Sequence, residues 1–293
     1  MVCTCNEQVC HCDILCAAYK RAFGQPPVAR QPWRKHITND LEDVVYDEAG
    51  QWTPTDDATA SGLAETWEFI TSPIYTSEVK VVWEIMAGEA AMSKAFEEAG
   101  WSVATPIDVR YNMYLDLLNP LALAHILTVI QSGRIGVLWL APPCASFSIA
   151  CNSDPDTQVR DLETAEPLPN LPPHRQERVD IGDALAEIAA RLWLAQQAAG
   201  GVAIIEQPAS SLMLVSKFLT RTVYKVPHFW GVRDVCLDGA PWKKPTALLC
   251  THEAIEAING QCQGGHKHIA LRGKAPCGRN WTQVACPYWP GFA

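Results

Sequence analysis

The sequence holds no apolar run near the roughly 18–20 residues that a membrane-spanning helix needs. Its longest candidates, such as residues 201–205, are strand-sized. Met1–Glu7 has neither a basic start nor an apolar stretch, so no secretory signal is expected. No internal repeat occurs, and the N-terminal cysteines contain no CxxC pair. Charged residues are only 19% against 48% apolar, which excludes a disordered chain and leaves material for a large core in 293 residues. Twelve cysteines are present. Without a visible signal we expect an intracellular protein, nucleus or cytoplasm unresolved, with reduced thiols. They then read as metal ligands, a nucleophile or small buried hydrophobes.

Net charge is −9, the wrong sign for a uniform nucleic-acid binder. Its distribution says more: residues 207–293 hold ten Lys/Arg and four Asp/Glu, a net +6 on a body of −15. A basic C-terminal third is compatible with a local phosphate-binding face, and equally with ordinary solvated surface.

Three regions are expected: an irregular Cys-rich extension over 1–77, a catalytic-type domain over 78–252, and a basic Cys/His tail over 253–293. Within the extension only a short helix near Asp13–Phe23 has a sustained period. From Val79 the pattern alternates. Val79–Ile85, Trp101–Ile107, Ile135–Leu140 and Val202–Glu206 read as strands. Ala90–Ala99, Pro120–Gln131 and Val179–Ala199 read as helices, the first stopped by Gly100 and the last by Gly200-Gly201. Ala145–Arg178 reads as a long functional loop. The alternation predicts an α/β, doubly wound, mostly parallel sheet covered on both faces.

Chemistry-bearing residues gather at predicted strand ends, where ligands of open α/β sheets bind. Glu84-Ile85-Met86-Ala87-Gly88-Glu89-Ala90 joins a strand to a helix. Its small residues allow close backbone approach, and the helix start offers free N–H groups. Asp108, at the next strand end, has the position of an acid that accepts ribose hydroxyls, and Asp116 follows. Taken alone, such a turn is more often a plain βα connection. Ala141-Pro142-Pro143-Cys144-Ala145-Ser146-Phe147-Ser148 places a cysteine just past the third strand, where a thiolate nucleophile or a buried structural thiol can sit. Glu206-Gln207-Pro208 ends the fourth strand with a carboxylate that packing alone does not explain.

Together these motifs resemble the DNA cytosine-5 methyltransferases, a class I S-adenosylmethionine-dependent family, and in particular its short phage-like members. The resemblance spans roughly Val79 to Thr251. Glu84–Ala90 resembles the cofactor glycine loop, Ser93–Gly100 the helix after it, Pro142-Pro143-Cys144 with Phe147-Ser148 the nucleophile motif, Glu206-Gln207-Pro208 the Glu-Asn-Val or Glu-Asn-Pro motif, and Asp238–Thr246 a segment of the short members. It implies a Rossmann-like fold and methyl transfer to carbon 5 of cytosine in DNA through a covalent Cys144 adduct, with Glu206 holding the ring. It further implies cofactor contacts from Glu84, Met86, Ala87, Gly88, Ala90, Asp108, Asp116 and Pro142, and nucleic-acid contacts from Ser146, Ser148, Lys243 and Lys244. The sequence departs from the family pattern at Met86, Ala90 and Ala145, and only about 40 residues follow Thr251, too few for a separate target-recognition domain. An RNA acceptor and a non-catalytic binding module therefore stay open. The expected partner is DNA, with RNA open and no membrane; a monomer is expected.

Two Cys/His clusters remain. In the tail, Cys262, His266 and His268, with Cys277 as a fourth donor, form an irregular candidate zinc site. Cys3, Cys5, Cys10, Cys12 and Cys16 form a second candidate metal-binding set. Trp230, Trp242, Trp281 and Trp289 can stack on bases or pack in the core, packing being the commoner fate.

Overall fold

A computed structural model describes residues 57–286 together with Tyr288 and Phe292. The helix expected at Asp13–Phe23, the N-terminal cysteine set and Trp289 lie outside the described residues. The elements are helices α1 (Asp57–Thr76), α2 (Ala91–Glu98), α3 (Pro120–Gln131), α4 (Ile149–Asn152), α5 (Pro173–Ala198), α6 (Lys217–Thr220) and α7 (Trp281–Val284), and strands β1 (Val81–Ile85), β2 (Ile135–Leu140), β3 (Val202–Pro208), β4 (Phe229–Asp234) and β5 (Pro245–Cys250).

The strands form one open five-stranded sheet in the order β1-β2-β3-β5-β4. β1, β2 and β3 pair in parallel. β5 then runs antiparallel to both β3 and β4. The expected sheet is thus α/β and parallel in its first half, but mixed overall. β2 is an unbroken apolar run, and β1 and β3 are apolar up to Glu84 and Glu206, because both faces there are covered. Trp83, Ile85, Leu138, Leu140, Ala203 and Ile205 face a cluster completed by α1, α3 and α5. Val82, Val137, Trp139, Ile204 and Leu248 face another, completed by Met92 and Phe96 of α2 and by Ile255, Ile258, Ala285 and Phe292. Among the described residues no helix is long and apolar enough to cross a membrane.

Several boundaries differ from the sequence reading. Trp101–Ile107 does not become a strand; it joins β1 through isolated parallel bridges at Val103 and Ile107 and a hydrogen bond from the Trp83 indole to the Thr105 carbonyl at 2.8 Å. Pro106 interrupts it, since a prolyl nitrogen cannot donate to a ladder. α5 starts at Pro173, six residues before Val179, because a proline in the first helical turn forfeits no hydrogen bond. The long 145–178 segment is correspondingly shorter and carries the 3₁₀ turn Ala145–Phe147 and α4.

The largest difference is α1, a 20-residue helix in a stretch expected to be irregular. Leu63, Trp67, Ile70 and Ile74 are buried at helical spacing and belong to the same cluster as the sheet. The Trp67 ring stacks on His125 of α3 at 5.2 Å between centroids. Residues 57–76 thus pack into the body of the domain. Trp67→Ala should cost about 3–5 kcal/mol of stability in urea unfolding; a loss under 1 kcal/mol would mean that α1 is not part of the cooperative core.

Candidate active site

Parallel pairing brings the carboxyl ends of β1, β2 and β3 to one edge of the sheet, and side-chain alternation does the rest. Glu84 is in register with Trp139, and Trp139 with Ile204, two residues before Glu206. By that alternation Glu84, Trp139 and Glu206 share the sheet face that carries α2 and the C-terminal segment.

At the first strand end, Glu84 is fully buried. Its Oε2 accepts from the Ser93 backbone N–H at 2.7 Å and from Ser93 Oγ at 2.6 Å, so the carboxylate sits at the start of α2, where charge and helix dipole agree. One of the helix-start amides expected to be free is therefore taken from within the chain. Oε1 makes no hydrogen bond. Burial pushes the Glu84 carboxyl up to about 7, against the opposing pull of its Ser93 bonds.

The loop between β1 and α2 alternates into the left-handed region at Met86, Gly88 and Ala90, with φ of 60°, 57° and 52°. Ala90 holds a conformation that glycine adopts without strain. Asp108 closes the loop: Oδ2 accepts from the Gly88 N–H at 2.7 Å and Oδ1 from the Arg110 N–H at 3.0 Å. Tyr111 donates its hydroxyl to the Gly88 carbonyl at 2.5 Å, and Ala87 packs with Ala90 and Tyr111. Asp116 uses Oδ1 locally, accepting from the Leu118 N–H at 3.0 Å in the turn before α3.

Past β2, the Pro142 carbonyl accepts from Gln207 Nε2 at 2.5 Å, which ties the nucleophile-type loop to the end of β3. Cys144 is partly exposed and caps the 3₁₀ turn Ala145–Phe147. Three side chains absent from the sequence reading hold this loop. Arg160, buried, donates Nη2 to Ser146 Oγ at 2.9 Å and to Asp183 Oδ1 of α5 at 2.6 Å. Its guanidinium lies 3.7 Å from the centre of the Phe147 ring. Asn152 donates to the carbonyls of Ser146 and Ser148, both at 2.9 Å. Arg178 donates to the Ala145 carbonyl at 3.1 Å. Ser146 is thus turned inward and bonded, while Ser148 stays partly exposed. α5 approaches closely enough that a Cβ at Gly182 would overlap Ser146 Oγ.

At the end of β3 the Glu206 carboxyl is raised by burial, with Lys244 and a hydrogen bond from Tyr288 opposing. Tyr288 donates to Glu206 Oε2 at 3.2 Å and accepts from Trp139 Nε1 at 3.0 Å. Glu206 Oε1 makes no hydrogen bond. The Cys144 thiol is pushed up to about 11, first by burial, then by Cys286 and by Glu206, with Lys244 pulling the other way. Cys144, Glu206, Lys244 and Cys286 are therefore electrostatic neighbours. Tyr288 gave no signal in the sequence, because the tail's return over the sheet has no local pattern.

The two adjacent lysines diverge. Lys244 donates to the Ala285 carbonyl at 3.2 Å, on the side of Cys144 and Glu206. Lys243 pairs with Asp234 at 3.3 Å, and Asp234 accepts the Cys262 N–H at 2.8 Å. Here lies the Cys/His cluster, which can hold a metal ion: Cys236, Cys262, His266 and His268 each offer one donor atom, all within 4.8 Å of one another. Cys277, expected as the fourth donor, is exposed and outside this group. Its place is taken by Cys236, which the turn after β4 brings in from 26 positions upstream of Cys262.

No protein-family model matches the chain, and a search of curated proteins returns no match.

Two measurements probe this arrangement. Gly182→Ala should displace Ser146 and the Arg160 bonds, lowering stability by roughly 2 kcal/mol or more; an unchanged unfolding midpoint would show that the loop is not clamped against α5. The Glu84 carboxyl is raised from 4.5 to about 7, so the folded protein binds the extra proton. That stability is fully present below about pH 4.5 and is lost as pH rises to about 7. Between pH 5 and 8 the wild type should therefore lose roughly 2–3 kcal/mol more than Glu84→Gln. Equal losses in urea unfolding at the two pH values would contradict the burial of an ionisable group there.

Proposed function

We propose that this protein transfers a methyl group from S-adenosylmethionine to carbon 5 of cytosine in DNA, with Cys144 as nucleophile, and that the sheet is of the Rossmann-like class I type. The observation that carries this reading is the convergence of three neighbouring strand ends: the Glu84 loop, Cys144, and Glu206 with its unbonded carboxyl oxygen. Two buried carboxyl oxygens without donors, one on Glu84 and one on Glu206, are costly in a finished core and fit a site that a polar ligand completes.

In this reading the residues expected at the cofactor are Glu84, Met86, Ala87, Gly88, Ala90, Asp108, Asp116 and Pro142. The small residues at 87, 88 and 90 keep bulky side chains out of this loop, although the Gly88 N–H and carbonyl are already bonded to Asp108 and Tyr111. S-adenosylmethionine, when bound, supplies an electrophilic methyl on a sulfonium. The chain's own groups do the rest. The Cys144 thiol gives up its proton and its sulfur bonds to carbon 6 of the ring, which makes carbon 5 electron-rich. Glu206, held protonated by burial, donates to ring nitrogen 3 and takes up the negative charge that the addition creates. Once carbon 5 has taken the donor's methyl, the donor leaving as a neutral thioether, loss of the carbon 5 proton to solvent expels the Cys144 sulfur and restores the ring. Lys244 favours the thiolate over the thiol, and the half-exposed Lys243, although paired with Asp234, is the lysine turned away from the site and available to the phosphate backbone. A duplex base must leave the stack to reach such a site.

Two observations favour a second reading, a nucleic-acid-binding module without catalysis: burial pushes the Cys144 thiol up to about 11, and Tyr288 occupies one Glu206 oxygen. Incubation with labelled S-adenosylmethionine and either DNA or RNA, followed by nucleoside analysis, separates these. The expected product is 5-methylcytosine in DNA. Cys144→Ser should lower transfer at least a thousandfold while calorimetric binding of S-adenosylmethionine persists. Transfer unchanged in that variant would reject the nucleophile. Absence of both transfer and binding in the reduced wild type would select the module.

A further inference from the structure

We propose that Cys236, Cys262, His266 and His268 bind one structural Zn²⁺ that fastens the C-terminal segment to the β4–β5 hairpin, a site independent of the methyltransferase reading. The donor geometry carries it. Cys262 Sγ lies 3.6 Å from His268 Nε2 and 3.8 Å from His266 Nε2. A tetrahedral zinc, with Zn–S of about 2.3 Å and Zn–N of about 2.0–2.1 Å, requires sulfur-to-nitrogen separations of about 3.6 Å. The two imidazole rings, 4.4 Å apart and inclined at 65°, turn their Nε2 atoms toward one sulfur instead of stacking. Cys236 supplies the fourth donor within the same 4.8 Å.

The surroundings fit a metal centre. Gly264 donates its N–H to Cys262 Sγ at 3.4 Å, the kind of amide-to-sulfur bond that steadies a thiolate ligand. Gly264 and Gly265 have φ of 86° and 87°, the left-handed conformation that lets the chain turn back from Cys262 to His266. On the other side, Arg233 clamps the turn bearing Cys236 through Asp238, at 3.0 Å and 2.8 Å. Two thiolates and two neutral imidazoles balance a divalent charge and are the donor set that selects zinc. With four protein donors the site is closed, and so structural.

The tie has a clear mechanical effect. Beyond His268 the chain is joined to the hairpin by the Ile269 N–H on the Pro241 carbonyl at 2.8 Å. It then packs Trp281 beside Trp242 and delivers Ala285 to Lys244. The metal thus anchors the segment that sets Tyr288 on Glu206.

The test is metal analysis of the full chain purified under reducing conditions with zinc present. One equivalent of zinc per chain is expected, and replacement by Co²⁺ should give the visible absorption and sulfur-to-metal charge-transfer band of a tetrahedral thiolate site. Cys236→Ser and His268→Ala should each weaken zinc binding at least 100-fold, whereas Cys277→Ser should retain the full equivalent. Because a ligand variant can fail to fold, alkylation of the wild type provides a second readout: zinc should protect Cys236 and Cys262 and leave Cys277 reactive, and chelation should expose the first two. Zinc well below one equivalent, protection of Cys277 in place of Cys236, or a Cys236–Cys262 disulfide in the reduced preparation would each overturn the proposal.

Discussion

Parallel pairing of β1, β2 and β3 is the constraint on which the site depends. Three strands running the same way in a hydrogen-bonded register must release their loops at the same edge. The alternation of side chains then fixes which face each terminal residue meets. Glu84 and Glu206 come to one face because each continues the parity of Val82 and Ile204, and Trp139 lies between their strands. A one-residue slip of β2 would turn Trp139 to the opposite cluster and remove the partner of Tyr288. The apolar faces on both sides oppose that slip, since it would exchange Leu138 and Leu140 with Val137 and Trp139.

Around this frame the polar groups act as clamps. Arg160 is buried, and its hydrogen bonds and Asp183 offset the cost of its charge. It holds Ser146, the ring of Phe147 and the start of α5 in one arrangement. Gln207 links the ends of β2 and β3, and Asp108 closes the loop after β1. The candidate site is therefore built mostly from bonds within the chain, with Arg160 Nε and one oxygen each of Glu84 and Glu206, left unbonded, as exceptions. The alternating left-handed backbone at Met86, Gly88 and Ala90 is a further exception, because two of the three residues carry side chains that disfavour it.

Much of the frame was legible in the sequence. β1, β2, β3, α2 and α3 follow from apolar runs and periodicity within a residue or two. So does the placement of Glu84, Cys144 and Glu206 at strand ends. α1 was missed although Leu63, Trp67, Ile70 and Ile74 have helical spacing, because Thr, Ser, Gly and Pro between them weaken the local signal and the helix is held by packing. Trp101–Ile107 looked like a strand because its apolar content outweighed one proline in the reading but not in the ladder. The cluster donors at 262, 266 and 268 were visible as a local pattern. Cys236 was not, since only the antiparallel hairpin brings it near, and Cys277 lies outside the cluster. Tyr288 depends on a long-range return that no window of sequence reports.

The reversed direction of β5 has a consequence for the order in which the molecule is assembled. β3 is covered on its outer edge by β5, not by β4, so that edge stays unpaired until the chain has passed residue 250 and folded back. The first three strands can associate while the nascent protein is still incomplete, yet Glu206 gains its final surroundings only when the last stretch arrives. A protein built in this way completes the corner around Glu206 late, and a ribosome that stalls within that stretch leaves behind a half-sheet with an adhesive border.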